Sequence, residues 1–203
     1  MSQDNIMIKF CILIISLLLA SCAAGPPYVG EIPPLSKIPG VGVSFTIPDE
    51  NGWHLFDPDG KGSMIVKTGK TKLESYIISL TYNKHTTPLS EAKFRELYET
   101  KQTMGWHPPE RYKVILSKEE PISSRGKYFN SFYYLVEDHQ AKIMPSGEKH
   151  MLLEVMAFFA ANPNDLTTTV EISYSYRYSP KNKDNKFKEK AKWVLDHALF
   201  VKE

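Results

Sequence analysis

The sequence predicts an α+β fold: an antiparallel sheet of about six to eight strands, with one central and one C-terminal helix packed on it. Three observations support this prediction. Short segments in which apolar and polar residues alternate recur along the chain, as in half-buried strands. Two segments instead carry apolar residues at helical spacing. The strands are grouped in sequence, which favours antiparallel pairing between neighbours.

A first group of strands is predicted by alternation over residues 43–48, 53–56, 63–68 and 76–82. Pro48 ends the first of them, because proline cannot donate to a sheet ladder. Asn51-Gly52 tolerates the positive φ of a type I′ turn. The sequence therefore predicts a hairpin between the first two strands.

The central helix is predicted over residues 88–104. Thr87 is a candidate N-cap, Pro88 suits the first helical position and Gly105 suits the C-terminal left-handed position. One face carries the apolar residues Phe94, Leu97, Tyr98 and Met104. The other positions are charged, so the helix is expected to pack on one side only.

A second group of strands is predicted over residues 112–119, 127–137, 151–160 and 167–178. Residues 151–160 are apolar on nearly both faces, which predicts a central strand covered on each side by a helix. Asp184 is a candidate cap for the C-terminal helix. Its apolar stripe consists of Phe187, Ala191, Val194, Leu195 and Ala198.

The N-terminal segment is typical of a signal peptide. Residues 10–20 are apolar except for Ser16, and as a helix they span about 17 Å, short of the ~30 Å that a bilayer core requires. Leu19-Ala20-Ser21-Cys22 resembles the lipobox of bacterial lipoproteins. The resemblance implies cleavage before Cys22 and acylation of Cys22 with palmitate-type chains, which anchor the protein in a membrane. The alternative is an ordinary cleaved signal with an accidental cysteine.

The residue after Cys22 is Ala23 rather than aspartate, and by the same resemblance this indicates the outer membrane, periplasmic face, or the cell membrane of a monoderm. Asp4 and a single basic residue make an unusual start, so translation from Met7 is a second possibility.

Three segments are predicted: a signal peptide over 1–21, the lipidated cysteine with a proline-rich tether over 22–40, and a single periplasmic α+β domain over 41–203. The prolines of the tether favour polyproline II, with a reach of up to about 50 Å. Its scattered apolar residues are equally compatible with a segment that lies along the domain. Both possibilities stay open.

Composition excludes several kinds of chemistry. Cys11 is lost with the signal peptide and Cys22 is acylated, so the mature domain has no thiol for a nucleophile, a thiolate metal site or a disulfide. The formal net charge of +2 gives no reason to expect a nucleic-acid partner. No glycine-rich phosphate loop, nucleophile elbow or His-Glu-x-x-His motif occurs, so no cofactor and no catalytic residue is predicted.

The opening of the domain resembles PsbP-like proteins. Phe45-x-Ile47-Pro48, a turn, and Gly52-Trp53 are similar to the start of that fold, which continues through strands, a helix, strands and a last helix. Known members include an extrinsic photosystem subunit, a nuclear-import factor that binds a small GTPase, and bacterial lipoproteins. The resemblance implies a binding scaffold without catalytic residues.

Two acidic-histidine groupings and one acidic turn are candidate metal ligands. Glu137-Asp138-His139 and Glu148-Lys149-His150 lie at facing ends of one predicted hairpin, which brings two histidines and carboxylates near each other. The favoured interpretation is a charged, solvated hairpin tip, so no metal site is predicted here. Residues 57–60 resemble a calcium loop, but Thr68 occupies the position of its bidentate glutamate, which favours a plain turn.

A ligand or partner surface is the remaining candidate site, and its residues are Trp53, His54, Trp106, His107, Tyr174 and Tyr176. The first functional hypothesis is a membrane-anchored, non-catalytic binding or accessory module for an envelope protein or cell-wall partner. The second is a metal-dependent periplasmic hydrolase that uses His139 and His150. The third is a small-ligand carrier whose cavity is lined by Trp53, Phe132, Tyr134 and Tyr174.

Overall fold

The computed structural model of the chain describes residues 28–56, 63–104, 106, 108–120, 126–141 and 147–202. These residues form two antiparallel sheets and two helices, which confirms the predicted α+β class. The strands are β1 (Tyr28–Ile32), β2 (Lys37–Pro39), β3 (Val43–Thr46), β4 (Trp53–Phe56), β5 (Ser63–Thr68), β6 (Ser75–Lys84), β7 (Tyr112–Glu119), β8 (Phe129–Asp138), β9 (Met151–Asn162), β10 (Asp165–Tyr178) and β11 (Leu199–Phe200). The helices are α1 (Glu91–Met104) and α2 (Phe187–Asp196).

The large sheet has eight strands in the order β1-β4-β5-β6-β10-β9-β8-β7, and the small sheet has three in the order β11-β3-β2. Every pairing is antiparallel. β4, β5 and β6 are neighbours in sequence and in the sheet, as are β7, β8, β9 and β10, and the pairing of β10 with β6 joins the two groups. The long strands β9 and β10 therefore lie next to each other at the centre of the large sheet, and the other strands extend the sheet on either side of them.

The two helices lie on opposite faces of the large sheet. Met156 and Phe158 of β9 belong to the core beneath α2, whereas Ala157 and Phe159 belong to the core beneath α1. All four side chains are buried. This confirms that residues 151–160 form a central strand with cover on both sides, as its two-sided apolar pattern predicts.

The stripe of α2 forms the centre of the larger core. Phe187, Ala191, Val194 and Leu195 are all buried against the sheet. Asp184 does not occupy the predicted N-cap position, because the helix starts at Phe187. Its carboxylate instead accepts hydrogen bonds from the Lys186 amide at 2.9 Å and from the Tyr76 hydroxyl at 2.8 Å, which fixes the approach to the helix onto β6.

Helix α1 begins later than its sequence predicts. The Leu89 amide donates to the Leu166 carbonyl at 3.0 Å, so the chain is still extended at the predicted start. Ser90, rather than Thr87, is the capping residue, because its hydroxyl accepts from the Lys93 amide at 3.2 Å. Phe94 is the only residue of α1 with a described side chain that is fully buried.

The predicted hairpin between residues 43–48 and 53–56 does not form. β3 pairs with β2 and β11 in the small sheet, whereas β4 pairs with β1 and β5 in the large one. Gly52 has a φ of 85°, a backbone conformation that is strained for residues with a side chain. Its amide donates a hydrogen bond to the Glu31 carboxylate at 3.1 Å. The Asn-Gly turn therefore moves the chain from one sheet to the other.

The proline-rich segment takes part in both sheets. β1 pairs with β4 and β2 pairs with β3, so of the two possibilities for this segment the structure shows residues 28–39 against the domain. The predicted signal peptide over 1–21, Cys22 and residues 57–60 lie outside the described residues. Among the described residues, no helix combines the length and apolar character needed to cross a membrane.

Candidate functional site

An open cleft lies between the C-terminal half of α1 and the large sheet. Its volume is about 410 Å³, within the roughly 300–1,000 Å³ range of small-molecule sites. We call it the α1 cleft. It is lined by Lys101, Gln102, Trp106, Phe132, Tyr134, Leu153, Val155, Glu171, Ser173 and Ser175.

The cleft exists because α1 covers only part of its face. Phe94 stacks on Phe159 of β9 with ring centroids 5.3 Å apart, which holds the first half of the helix to the sheet. Further along, the helix presents Lys101 and Gln102 to the sheet instead of apolar residues. Polar side chains do not close against an apolar surface without cost, so a gap remains over β8, β9 and β10.

One wall of the cleft is aromatic. Trp106 packs edge-on against Tyr134 at 5.3 Å and against Tyr112 at 5.7 Å, which fixes the indole at the end of α1. Burial raises the pKa of Tyr134, with a further increase from Glu171 and an opposing effect of the hydrogen bond with Ser117. The Tyr134 hydroxyl therefore remains protonated at neutral pH and available as a donor.

The other wall is polar and comes from β10. Glu171 forms an ion pair with Lys101 across the cleft, and the Lys101 ammonium lies 5.3 Å from the centre of the Phe159 ring. The Ser173 and Ser79 hydroxyls are hydrogen-bonded at 2.7 Å. A molecule in the cleft thus meets aromatic and aliphatic surface on β8 and β9, and hydroxyl and charged groups on β10.

The described lining residues include no serine–imidazole or cysteine–imidazole pair. No histidine or cysteine is present among the described residues that line the cleft, and Ser173 pairs with another serine rather than with an imidazole. Nucleophilic catalysis by a serine requires an adjacent base.

The predicted histidine grouping lies elsewhere, at the end of the β8–β9 hairpin where the two strands meet the connecting loop. Glu137, His139 and His150 each have a ligand-type atom within 4.8 Å of the others. The prediction that this hairpin brings two histidines and a carboxylate together is confirmed. Glu148 instead forms an ion pair with Lys181 at 2.9 Å. None of these residues lines the α1 cleft.

Asp138, between Glu137 and His139 in sequence, points to the opposite face. Its carboxylate is fully buried and accepts two hydrogen bonds from Arg111, at 2.9 and 3.0 Å. It also forms an ion pair with Arg177 at 2.9 Å. Burial would raise the pKa of Asp138, but the two guanidinium groups and the Gln140 amide outweigh it and lower the pKa. This network joins β8 and β10 to Arg111, which immediately precedes β7, and was not predicted from the sequence.

The residues of the predicted partner surface are dispersed. Trp106 lines the cleft, but Trp53, Tyr174 and Tyr176 are buried on the opposite face, with the Trp53 and Tyr174 rings 6.1 Å apart in an edge-to-face contact. His54 is partly buried on β4, and His107 lies outside the described residues. Alternation puts Tyr174 and Tyr176 on the face that α2 covers, so these tyrosines are core residues.

The predicted carrier cavity is split in the same way. Phe132 and Tyr134 line the α1 cleft, whereas Trp53 and Tyr174 are in the core under α2, with the sheet between the two pairs. Lys101, Glu171 and Ser173 were not predicted as site residues from the sequence. The available signal was the polar side of residues 167–178, which faces away from the larger core.

Comparison with known proteins supports the fold alone. No protein-family model matches the chain, and no curated protein sequence matches it. Among solved structures, the chain is similar to the solution structure of cyanobacterial PsbP (CyanoP) from Synechocystis sp. PCC 6803, with a TM-score of 0.51 and 14% sequence identity over 88% of this chain and 99% of that chain. The chain therefore has a PsbP-like α+β fold, with a large antiparallel sheet between a central and a C-terminal helix.

Proposed function

We propose that this protein is a lipid-anchored, non-catalytic binding module of the bacterial cell envelope and that the α1 cleft is its binding site. The observation that carries the proposal is the cleft itself, an open site with an aromatic wall, a polar wall and no nucleophile–base pair among its described lining residues. The PsbP-like fold is compatible with such a role, although a fold alone does not determine function.

The lipobox-like sequence supports attachment through Cys22. Six residue steps separate Cys22 from Tyr28, where β1 begins, and at about 3.3–3.6 Å per residue they span at most about 22 Å. This is less than half the reach of a fully extended tether over residues 23–40. The proposed anchor therefore keeps the domain near the membrane surface, where its partner must also be present.

The two walls favour an amphipathic occupant. Trp106 and Tyr134 offer a flat apolar surface, and Lys101, Glu171 and Ser173 offer charges and hydroxyls on the side of β10. A peptide segment that inserts one aromatic or aliphatic side chain and hydrogen-bonds with its polar atoms satisfies both walls. We therefore propose a protein partner of the envelope, bound through such a segment.

Site-specific cross-linking in intact cells tests this proposal. A photoreactive amino acid at Gln102, which lines the cleft, is expected to cross-link to one envelope protein, whereas the same group at Thr68, which is exposed on β5, is not. Filling the cleft with Ser175→Phe is expected to abolish the cross-link, and Thr68→Phe is the matched control. Equal cross-linking at both positions, or an unchanged product with Ser175→Phe, would overturn the proposal.

The anchor is tested separately. The wild-type chain is expected to incorporate labelled palmitate and to sediment with membranes, and Cys22→Ser is expected to lose both properties. Labelling that persists in Cys22→Ser would contradict attachment at this residue.

A small-ligand carrier is a second candidate, because the cleft volume falls within the range of small-molecule sites. Native mass spectrometry of protein extracted from membranes distinguishes the two. A single bound small molecule that Ser175→Phe releases would favour the carrier over the protein-binding module.

A further inference from the structure

The loop end of the β8–β9 hairpin has three potential metal-ligand side chains on one side of the sheet. Glu137 and His139 are two residues apart, so they share a face where β8 ends. The register pairs Asp138 with Met151, and its continuation places His150 opposite His139. The hairpin alone therefore brings the three side chains together, independently of the α1 cleft.

The distances between the donor atoms are close to those around a bound ion. Glu137 Oε2 lies 2.9 Å from His139 Nε2, and Glu137 Oε1 lies 3.7 Å from His150 Nε2. The two imidazole rings are 5.3 Å apart. In a tetrahedral zinc site with bonds of about 2.0–2.1 Å, ligand atoms are about 3.4 Å from each other. Small side-chain rotations thus suffice to surround one ion.

The ligand types favour a transition-metal ion such as Zn²⁺ over a hard cation. Two imidazoles and one carboxylate are a set that Zn²⁺ accepts, with the fourth tetrahedral position left for water. The side chains of His139 and His150 are 38% and 26% exposed, so an ion can enter from solvent. Hard ions such as Ca²⁺ and Mg²⁺ prefer sites made only of oxygen ligands, and the two histidines disfavour them.

Among the described residues, Lys113 is a cation that opposes metal binding here. It is opposite Glu137 on β7, and its ammonium lies 3.5 Å from Glu137 Oε2. A divalent ion at the same carboxylate must displace or tolerate this cation. Removal of the Lys113 charge is therefore expected to strengthen metal binding without removing a ligand.

We propose that Glu137, His139 and His150 form a Zn²⁺ site that joins the ends of β8 and β9. The ion replaces the present contacts among the three side chains and links the two strands at the loop end of the hairpin. This site is separate from the α1 cleft, so failure of either proposal leaves the other intact.

Two titrations of the metal-free full chain test the site. Zn²⁺ binding is measured by calorimetry, and Co²⁺ binding is measured by visible absorption. The expected result is one ion per chain and the spectrum of four-coordinate Co²⁺. His139→Ala and His150→Ala are each expected to weaken binding by about tenfold or more. His197→Ala is the matched control, because its imidazole lies at the end of α2 and bonds with the Trp193 carbonyl. No binding by the wild type, or equal weakening in His197→Ala, overturns the proposal.

Lys113→Met supplies a gain-of-affinity test that a merely unfolded variant cannot imitate. The variant is expected to melt at about the wild-type temperature without metal and to bind Zn²⁺ several-fold more tightly. Glu137→Gln is expected to bind more weakly than the wild type. Unchanged or weaker binding in Lys113→Met would show that Glu137 is not a ligand of the ion and would overturn the three-residue site.

Discussion

The two faces of the large sheet are each covered by one helix, but to different depths. On the α2 face, the ring centres of Phe187 and Tyr174 are 5.7 Å apart. Both residues belong to a continuous core that also includes residues of β3 in the small sheet. On the α1 face, Phe94 stacks on Phe159, whereas Leu97 and Tyr98 are only partly buried and the α1 cleft remains open beyond them. The α2 face is therefore packed more completely than the α1 face, where the incomplete cover leaves the α1 cleft.

Apolar pattern explains this difference. The stripe of α2 continues over nearly three turns, so the helix lies flat on the sheet. Beyond Tyr98, α1 presents the polar residues Lys101 and Gln102 to the sheet, and an ion pair between Lys101 and Glu171 replaces apolar contact there. A region held by fewer buried apolar contacts is expected to open more readily.

The largest expected effect comes from truncation of the aromatic anchor of each helix. Phe187→Ala is expected to cost about 4–5 kcal/mol of the free energy of unfolding, because its site is enclosed and cannot collapse. Phe94→Ala is expected to cost about 3 kcal/mol, because half-buried neighbours can move into the space. Urea unfolding of the purified domain measures both values. Equal losses would show that the two faces contribute alike.

A smaller effect is expected from Asp138→Asn, which removes the buried charge between two arginines on the α1 face. Loss of a buried partner costs about 3–5 kcal/mol in general, and the partial exposure of Arg111 and Arg177 reduces this to about 2–3 kcal/mol. Urea unfolding at neutral pH measures the loss, and Asp49→Asn, at an exposed position, is the control.

The same carboxylate predicts a pH dependence. The pKa of Asp138 is lowered in the folded state, so its contribution is fully present above its unfolded pKa of about 4 and is lost as pH falls through the folded value. The stability difference between wild type and Asp138→Asn is therefore expected to shrink below about pH 4. A difference that grows on acidification would contradict the ion-pair account.

Much of the fold follows from local pattern. Residues 167–178 alternate so regularly that β10 and its buried face were predicted, and the two-sided apolar strand at 151–160 predicted helices on both faces. The separation of β3 and β4 into different sheets was not predicted, because Asn51-Gly52 has the same turn chemistry in a hairpin and in a crossing. Pairing of β1 with β4 is equally non-local.

The sites differ in the same respect. The approach of His139 to His150 depends only on hairpin register, so it was predicted. The α1 cleft depends on which strands α1 covers, and nothing local to Lys101 or Glu171 determines that. The Asp138 network likewise combines residues on β8, on β10 and just before β7, and the order of these strands in the sheet is a tertiary property.

The smallest expected effect separates binding from stability within the α1 cleft. Lys101 and Glu171 are 37% and 24% exposed, so their ion pair is expected to contribute no more than about 1 kcal/mol, and less at high salt. A double-mutant cycle with Lys101→Met and Glu171→Gln, measured by urea unfolding, gives the coupling energy. The same variants are expected to weaken the cross-link at Gln102 far more than they lower stability. A coupling above about 2 kcal/mol would instead make the pair part of the framework, because an exposed ion pair does not reach that value.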